Sequence, residues 1–344
     1  MRRTRTLVIG AIAVAAVALV AAGCGGGGGG GSNATTTQKS SFKAALVSDV
    51  AGFNDNGFNK NQLAGLNSAA SSLGITPISK VSHSSSDYDP NYNAAVRAGA
   101  NIVIAAGFLL GDTMKKYAKQ FPKVDFAITD DSASAVGGLK NELGITYATP
   151  EAGCLVGVLA AKQAASMGKK IIGAVGGIKI PPVDTYIAGY QYCANKAVPG
   201  TKTLVSYSNS FTDESACSNV AQNLIGQGAE VIFQVAGLCG DGALKEASKL
   251  GKWGIGVDAD EYGVAKNILT SALKKTDVGV EHAIQDAFHN HFPGGSDILL
   301  NLKNNGVGVG KISPKVQQAW IDTMNQYKQQ IIAGTLKPPS TVSK

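Results

Sequence analysis

Short apolar runs alternate with amphipathic stretches along most of this chain. Runs of β-branched and small apolar residues predict strands, and apolar residues spaced three and four apart predict the helices between them. In the first half the predicted strands are 44–48, 75–79, 101–106 and 124–129, and the predicted helices are 59–72, 91–98 and 112–120. This alternation is typical of parallel sheets that carry helices on both faces.

A second series of the same kind follows. Its predicted strands are 170–175, 203–207, 231–235 and 254–257, and its predicted helices are 151–165, 185–197, 214–227 and 242–250. Two such series indicate two doubly wound lobes. Because ligands of open parallel sheets gather at the carboxyl ends of the strands, we expect a ligand cleft where the lobes face each other.

The last part of the chain offers a strand at 268–273, a helix at 277–290, a glycine-rich stretch and a helix at 314–332. We predict a first lobe at 43–147 with a returning segment at about 265–295, and a second lobe at 148–262. The sequence pattern does not assign the segment 296–344 to either lobe. A late return to the first lobe implies several crossings, so the predicted fold is α/β, with two doubly wound parallel-sheet lobes joined by a hinge.

The amino terminus has the pattern of an export signal. Arg2, Arg3 and Arg5 precede an uncharged stretch at 7–22, and small residues lead to Cys24. We predict a signal peptide at 1–23, because the apolar run is short for a membrane span. Cys24 resembles the cysteine of a bacterial lipobox, which implies lipid attachment, and 24–42 reads as a flexible tether. The alternative is an ordinary signal peptide cut nearby.

Charge and motif content exclude several function classes. The formal net charge is +7, and removal of the three arginines with the signal leaves +4 without a basic block, so we expect no nucleic-acid partner. The H-E-x-x-H and G-x-S-x-G signatures of hydrolases are missing from the sequence. We predict no enzyme activity, no cofactor and no metal site.

Four cysteines follow Cys24, and none of them forms a C-x-x-C motif. In an exported chain, widely spaced cysteines of even number favour disulfides over a metal site. Three connectivities are possible, of which we favour Cys154 with Cys193 and Cys217 with Cys239. Four buried thiols are the alternative.

The loop after the first predicted strand carries the most specific pattern. Residues 49–59 read D-V-A-G-F-N-D-N-G-F-N, with Asp49, Gly52, Asp55, Phe58 and Asn59 in the order D-x-x-G-x-x-D-x-S-F-N. This pattern resembles the signature of the basic membrane protein family, the nucleoside-binding lipoproteins of bacterial ABC importers. Gly57 departs from it, since serine is usual there. Further stretches at 104–108, 151–157, 176–181, 234–242, 255–261 and 269–274 are similar to family motifs in the same order.

The resemblance implies a type I periplasmic-binding-protein-like fold and a set of ligand-binding residues. It implies that two aromatic rings clamp a nucleobase, that an acid and a lysine hold the ribose, that polar side chains read the base edges, and that a glycine lets the backbone approach the sugar. The matching residues are Phe58 and Phe211 for the clamp, Asp258 and Lys274 for the ribose, Asp49, Asn59 and Asp130 for the base edges, and Gly237 for the sugar.

The resemblance also implies a function. A monomeric, lipid-anchored protein on the extracytoplasmic face of the cell membrane would capture a nucleoside, with a purine favoured, and deliver it to an ABC permease and its ATPase. Two alternatives stay open: a receptor of the same fold that signals instead of importing, and a nucleoside hydrolase.

Overall fold

The computed structural model describes residues 40–343, which contain two six-stranded sheets. The predicted signal peptide, Cys24 and most of the predicted tether lie outside these residues. Within 40–343, no helix is both long and apolar enough to cross a membrane.

The first sheet belongs to the first lobe, and all of its strands are parallel. Its strands are β1 (Lys43–Val47), β2 (Thr76–Lys80), β3 (Ile102–Ala105), β4 (Asp125–Thr129), β5 (Glu142–Tyr147) and β11 (Ser296–Leu300), in the order β11-β5-β4-β3-β1-β2. The helices of this lobe are α1 (Phe58–Leu73), α2 (Tyr88–Arg97), α3 (Gly111–Gln120), α4 (Ala133–Val136) and α9 (Thr276–Phe288).

The second sheet belongs to the second lobe and repeats this arrangement. Its strands are β6 (Ile171–Gly176), β7 (Lys202–Tyr207), β8 (Val231–Val235), β9 (Trp253–Asp258), β10 (Ile268–Lys274) and β12 (Val307–Val309), in the order β12-β10-β9-β8-β6-β7. Only β12, at the edge, runs antiparallel. The helices of the second lobe are α5 (Thr149–Ser166), α6 (Pro181–Ala197), α7 (Glu214–Gly226), α8 (Leu238–Lys249) and α10 (Gln318–Ile332).

The central strands of each sheet are buried on both faces, which explains their continuous apolar runs. In β1, Ala44 and Leu46 pack into one apolar cluster with α1 and α9, whereas Ala45 and Val47 pack into a second cluster with α2 and α3. The second sheet likewise separates a cluster with α5, α6 and α10 from a cluster with α7 and α8. The predicted α/β class with two doubly wound lobes is confirmed.

The lobe boundaries differ from the sequence-based expectation in the last third of the chain. The strand β10 lies in the second sheet, although the sequence placed 265–295 in the first lobe. The chain returns to the first lobe only after Lys274. There α9 packs beside α1, and β11 then pairs with β5. After Leu300 the chain returns to the second sheet, so the segment 296–344 divides between the two lobes.

The chain therefore crosses between the lobes at three places: after Tyr147, after Lys274 and after Leu300. Backbone hydrogen bonds tie these crossings together, because the Ala148 amide donates to the Leu300 carbonyl at 2.8 Å and the Lys275 amide donates to the Gly306 carbonyl at 2.9 Å. Three adjacent connections form the hinge region.

Two disulfides fasten helices of the second lobe. Cys154 of α5 is bonded to Cys193 of α6, with the Cα atoms 4.9 Å apart, and Cys217 of α7 is bonded to Cys239 of α8, with the Cα atoms 5.5 Å apart. This is the pairing favoured from the sequence. Cys239 lies in the first turn of α8 instead of the loop before it, because that helix begins at Leu238, earlier than predicted.

Candidate functional site

All eight ligand-binding residues predicted from the sequence line one cleft between the lobes. The first lobe contributes residues that follow β1 and β4 or begin α1, and the second lobe contributes residues at the carboxyl ends of β7 to β10. They are Asp49, Phe58, Asn59 and Asp130 from the first lobe, and Phe211, Gly237, Asp258 and Lys274 from the second. The structure brings them together because the carboxyl ends of parallel strands share one edge of each sheet.

The start of α1 is organised by carboxylates. Asp55 accepts hydrogen bonds from the backbone amides of Gly57, Asn59 and Lys60 at 2.7–3.2 Å, which satisfies amides that lack partners within the helix. The side-chain amide of Asn59 donates to Asp49 Oδ1 at 2.7 Å and to Asp55 Oδ2 at 3.0 Å. Its oxygen accepts from the Asp49 amide at 3.3 Å. These bonds use both donors of Asn59, so its contacts orient Asp49.

Asp49 presents a buried carboxyl group to the cleft. Burial raises its pKa to about 7, while the hydrogen bonds from the Ala51 amide and the Asn59 side chain oppose that rise. Both bonds go to Oδ1; among the described residues, Oδ2 accepts no hydrogen bond. Asp49 can therefore accept or donate a hydrogen bond near neutral pH.

Phe58 lies at the first position of α1 and is half-buried in the cleft. Gly107 has a φ of +116°, and a Cβ atom there would lie 3.0 Å from Phe58 Cε1, so the glycine makes room for the ring. The Thr276 hydroxyl of α9 donates to the Phe58 carbonyl at 3.2 Å. Gly107 therefore leaves space for the ring, and the bond from Thr276 fixes the backbone that carries it.

Lys274 forms the charged centre of the cleft. Its ammonium group lies 2.8 Å from Asp130 Oδ2 of the first lobe and 3.2 Å from Asp258 Oδ1 of the second. The three side chains are only 3%, 8% and 11% exposed. Burial alone would lower the pKa of Lys274, but the two carboxylates outweigh it and raise the pKa, so this ammonium stays charged.

Aromatic rings surround this ammonium group. It lies 4.6 Å from the ring centroid of Phe58, 5.5 Å from that of Tyr186 and 5.7 Å from that of Tyr147. These distances allow cation–π attraction. The Tyr186 hydroxyl also donates to Asp258 Oδ1 at 3.1 Å.

The two carboxylates beside Lys274 share an unusual backbone conformation. Asp130 has a φ of +67° and Asp258 a φ of +61°, in the left-handed region that few residues other than glycine adopt. Aspartate tolerates this region better than most residues, yet such a position persists only where its surroundings hold it. The chain turns sharply at both strand ends.

On the second lobe, Phe211 packs against Gly177, where any side chain would collide with the ring. The Phe211 carbonyl accepts from the Cys239 amide at 3.0 Å, so the disulfide of Cys239 lies next to the segment that carries this ring. Gly237 has a φ of +55° and a ψ of −139°, a conformation for which glycine is suited, and it leaves the backbone open to the cleft.

Sequence reasoning did not select three residues that contribute to the site. Tyr186 lies inside α6, where an aromatic residue is expected to belong to the apolar core. Tyr147 ends β5, a strand that was not predicted. Asp55 stood within the recognised pattern, but its capping of α1 depends on backbone geometry. No local signal marks the tyrosines.

Comparison with protein families gives one match across almost all of the described chain. The family described as ABC transporter substrate-binding protein PnrA-like matches residues 42–341. Among curated proteins, the ABC transporter nucleoside-binding protein BmpA of Lactococcus lactis subsp. cremoris is 32% identical, over 98% of this chain and 99% of that protein. Basic membrane protein A1 of Borrelia garinii subsp. bavariensis is 34% identical, over 80% of this chain and 81% of its own length.

Solved structures agree with this family match. An ABC transporter solute-binding protein from Aeropyrum pernix K1 superposes with a TM-score of 0.78 at 26% identity, covering 87% of this chain and 94% of the other. A solute-binding protein from Conexibacter woesei has a TM-score of 0.68 at 21% identity, which speaks for the fold alone.

Proposed function

Because the chain belongs to the family of PnrA-like ABC transporter substrate-binding proteins, we propose that it binds a nucleoside in the cleft between its lobes. One observation carries this proposal. Two phenylalanine rings, one from each lobe, line the same cleft as a buried lysine that two carboxylates flank. Flat apolar faces suit a base, and paired acceptors beside an ammonium suit the hydroxyls of a sugar.

At the base end, we assign Phe58 and Phe211 to stacking. Stacking of a base on an aromatic ring contributes about 1–3 kcal/mol and tolerates any base. We favour a purine because its two fused rings offer more stacking area. Asp49 reads the base edge through Oδ2, and Asn59 supports it by fixing the other carboxyl oxygen.

At the sugar end, we assign Asp258 and Lys274 to the ribose hydroxyls. A vicinal diol presents two donors to a carboxylate, and the lysine ammonium can donate to a hydroxyl oxygen. Asp130 bonds to Lys274, so we move its proposed role from the base edge to the sugar end. Gly237 allows close approach of the backbone.

Binding of a ligand that touches both lobes favours the closed arrangement of the hinge, and this arrangement is what the partners would recognise. We propose an ABC permease and its ATPase as those partners. We further propose that lipid on Cys24 anchors the protein on the extracytoplasmic face of the membrane. Mass spectrometry of the amino-terminal peptide from membrane fractions tests the anchor, with a Cys24→Ala variant expected to be released.

A ligand screen tests the proposed function. Purified protein is heated with adenosine, guanosine, inosine, cytidine, uridine, the free bases, ribose and AMP. A ligand present at 100 times its Kd stabilises the folded state by about 2.7 kcal/mol, which is a measurable rise in melting temperature. We expect rises with purine ribonucleosides and none with ribose. A response to ribose alone, or to no nucleoside, would refute the proposal.

The same samples test whether the protein is a binder or a hydrolase. After incubation with inosine, chromatography should recover inosine only. Release of hypoxanthine in proportion to protein concentration would show that the cleft cleaves the glycosidic bond.

A further inference from the structure

Glu261 is a buried acid outside the cleft lining. It follows β9 and is only 4% exposed. Its Oε2 accepts a hydrogen bond from the Val257 amide at 2.9 Å and from the Gln234 side-chain amide at 2.6 Å. Its own backbone amide donates to the Ser271 hydroxyl at 3.0 Å. One residue thus bonds to three neighbouring strands: β8, β9 and β10.

Each of these strands presents a cleft residue at its carboxyl end. Gln234 of β8 accepts from the Ala236 amide at 2.9 Å, directly before Gly237. Val257 directly precedes Asp258 at the end of β9, and Ser271 lies on β10, the strand that ends at Lys274. Glu261 therefore bonds to each of the three strands that lead to Gly237, Asp258 and Lys274.

Asp258 depends on this support more than its neighbours do. Its left-handed φ of +61° is a strained conformation that persists only where its surroundings hold it. On one side of Asp258, the hydrogen bond that the Val257 amide donates to Glu261 Oε2 fixes that amide. On the other side, the Ala259 amide donates back to the Val257 carbonyl at 2.6 Å.

Glycines provide the space for these buried side chains. A Cβ atom at Gly256 would lie 2.5 Å from Glu261 Oε2 and 2.6 Å from the Ser271 hydroxyl. At Gly240, a Cβ atom would overlap the Gln234 side-chain amide. Any larger residue at either position would displace the network, so both glycines are part of it.

We propose that Glu261 is a positioning residue: it orients the Asp258 carboxylate and so determines how well the cleft recognises a vicinal diol. The recognition of a diol rests on the proposed function. Glu261 acts through the Val257 amide and makes no contact with the ligand. Burial raises the pKa of Glu261 to about 8, so its neutral form prevails at neutral pH, and protonation of Oε1 leaves Oε2 free to accept. A glutamine offers the same acceptor without the charge.

The test compares Glu261→Gln with Glu261→Met in the full chain. Calorimetry measures Kd for adenosine and 2′-deoxyadenosine, and for guanosine and 2′-deoxyguanosine, at neutral pH. We expect the methionine variant to lose about tenfold in affinity for the ribonucleosides and less for the deoxynucleosides, since only the former offer both hydroxyls to Asp258. The glutamine variant should keep the wild-type ratio between the two sugars.

A crystal structure of each variant gives a readout that needs no ligand. In the methionine variant, the Asp258 carboxylate should leave hydrogen-bond distance of Lys274 and Tyr186; in the glutamine variant, it should stay. An unmoved Asp258 in the methionine variant overturns the proposal, as does a glutamine variant that loses the sugar ratio. A displaced Asp258 in a protein that binds no nucleoside would support positioning and refute the proposed function instead.

Discussion

Replacement of Lys274 by methionine tests the charged centre of the cleft most directly. Methionine keeps an unbranched side chain of similar length, but it removes the ammonium that lies 2.8 Å from Asp130 and 3.2 Å from Asp258. Two buried carboxylates then face each other without a cation. The perturbation is electrostatic, with little change in packed volume.

The expected loss of stability follows from the burial of the group. Removal of one partner from a buried ion pair typically destabilises a protein by about 3–5 kcal/mol, because the remaining charge stays buried without compensation. Asp258 keeps the hydrogen bond from Tyr186 and is the most exposed of the three side chains. We therefore expect a loss near the lower end, about 3 kcal/mol at neutral pH.

The loss should depend on pH with a defined sign. Burial already raises the pKa of Asp130, and the Lys274 ammonium opposes this rise. Without the ammonium, the folded-state pKa rises further above the unfolded value near 3.8, so the folded state holds a proton that the unfolded state releases. Stability of the variant then falls, relative to wild type, as the pH increases from about 4 towards neutrality.

Urea unfolding at about pH 5 and about pH 8 measures this difference. Lys275→Met is the matched control, since Lys275 is the next residue and is exposed; it should unfold like wild type at both values. Lys274→Met combined with Asp130→Asn should recover part of the lost stability. An equal deficit at both pH values, or a larger one at pH 5, would refute the reasoning.

Three further predictions concern the ligand and the disulfides. Phe58→Ala and Phe211→Ala should each weaken nucleoside binding by about 1–3 kcal/mol with an unchanged circular dichroism spectrum; unchanged calorimetric affinity in both would contradict the clamp. Asp258→Ala should cost more affinity for ribonucleosides than for 2′-deoxyribonucleosides, and equal losses would show that Asp258 does not hold the diol. Mass spectrometry under nonreducing conditions should find none of the four cysteines that follow Cys24 open to alkylation. Reduction should lower the melting temperature, since each bridge contributes about 3–4 kcal/mol in the chain-entropy model. Alkylation of all four in the native protein would contradict the bridges Cys154–Cys193 and Cys217–Cys239.

Local pattern predicted most strands because the central strands of each sheet are buried on both faces. The strand β5 escaped detection because it begins with Glu142, a charged residue that is nevertheless fully buried and accepts a hydrogen bond from the Leu139 amide. The strand β11 lies at the sheet edge and is largely exposed, and β12 spans only Val307–Val309. Burial of a charge and edge position both remove the apolar signal.

Lobe membership could not be predicted from local pattern. The strands β10 and β11 follow each other along the chain, with α9 between them, but they join different sheets. The strand β10 pairs with β9, which directly precedes it along the chain, whereas β11 pairs Ile298 with Ile145, more than a hundred positions earlier. The sequence indicated a late return to the first lobe, but not that the return begins after Lys274.

The site was more predictable in membership than in roles. Position at the carboxyl ends of strands, together with the family pattern, was enough to select residues that share one cleft. Roles depend on partners: Asn59 bonds to two carboxylates near the start of α1, and Asp130 reaches across to Lys274. Such contacts form only after folding, so sequence position could not separate a residue that contacts ligand from one that orients it.

The balance of charge in the cleft bears on the class of ligand. Four carboxylic acids line it, Asp49, Asp55, Asp130 and Asp258, against one basic side chain, Lys274. Two of these acids already neutralise the lysine, so a phosphate would enter a buried site with no free cation among the lining residues and with carboxylates close by. Hydroxyl and amide donors of an uncharged ligand would instead meet acceptors already in place. The cleft therefore suits a nucleoside better than a nucleotide, and adenosine should bind where AMP does not.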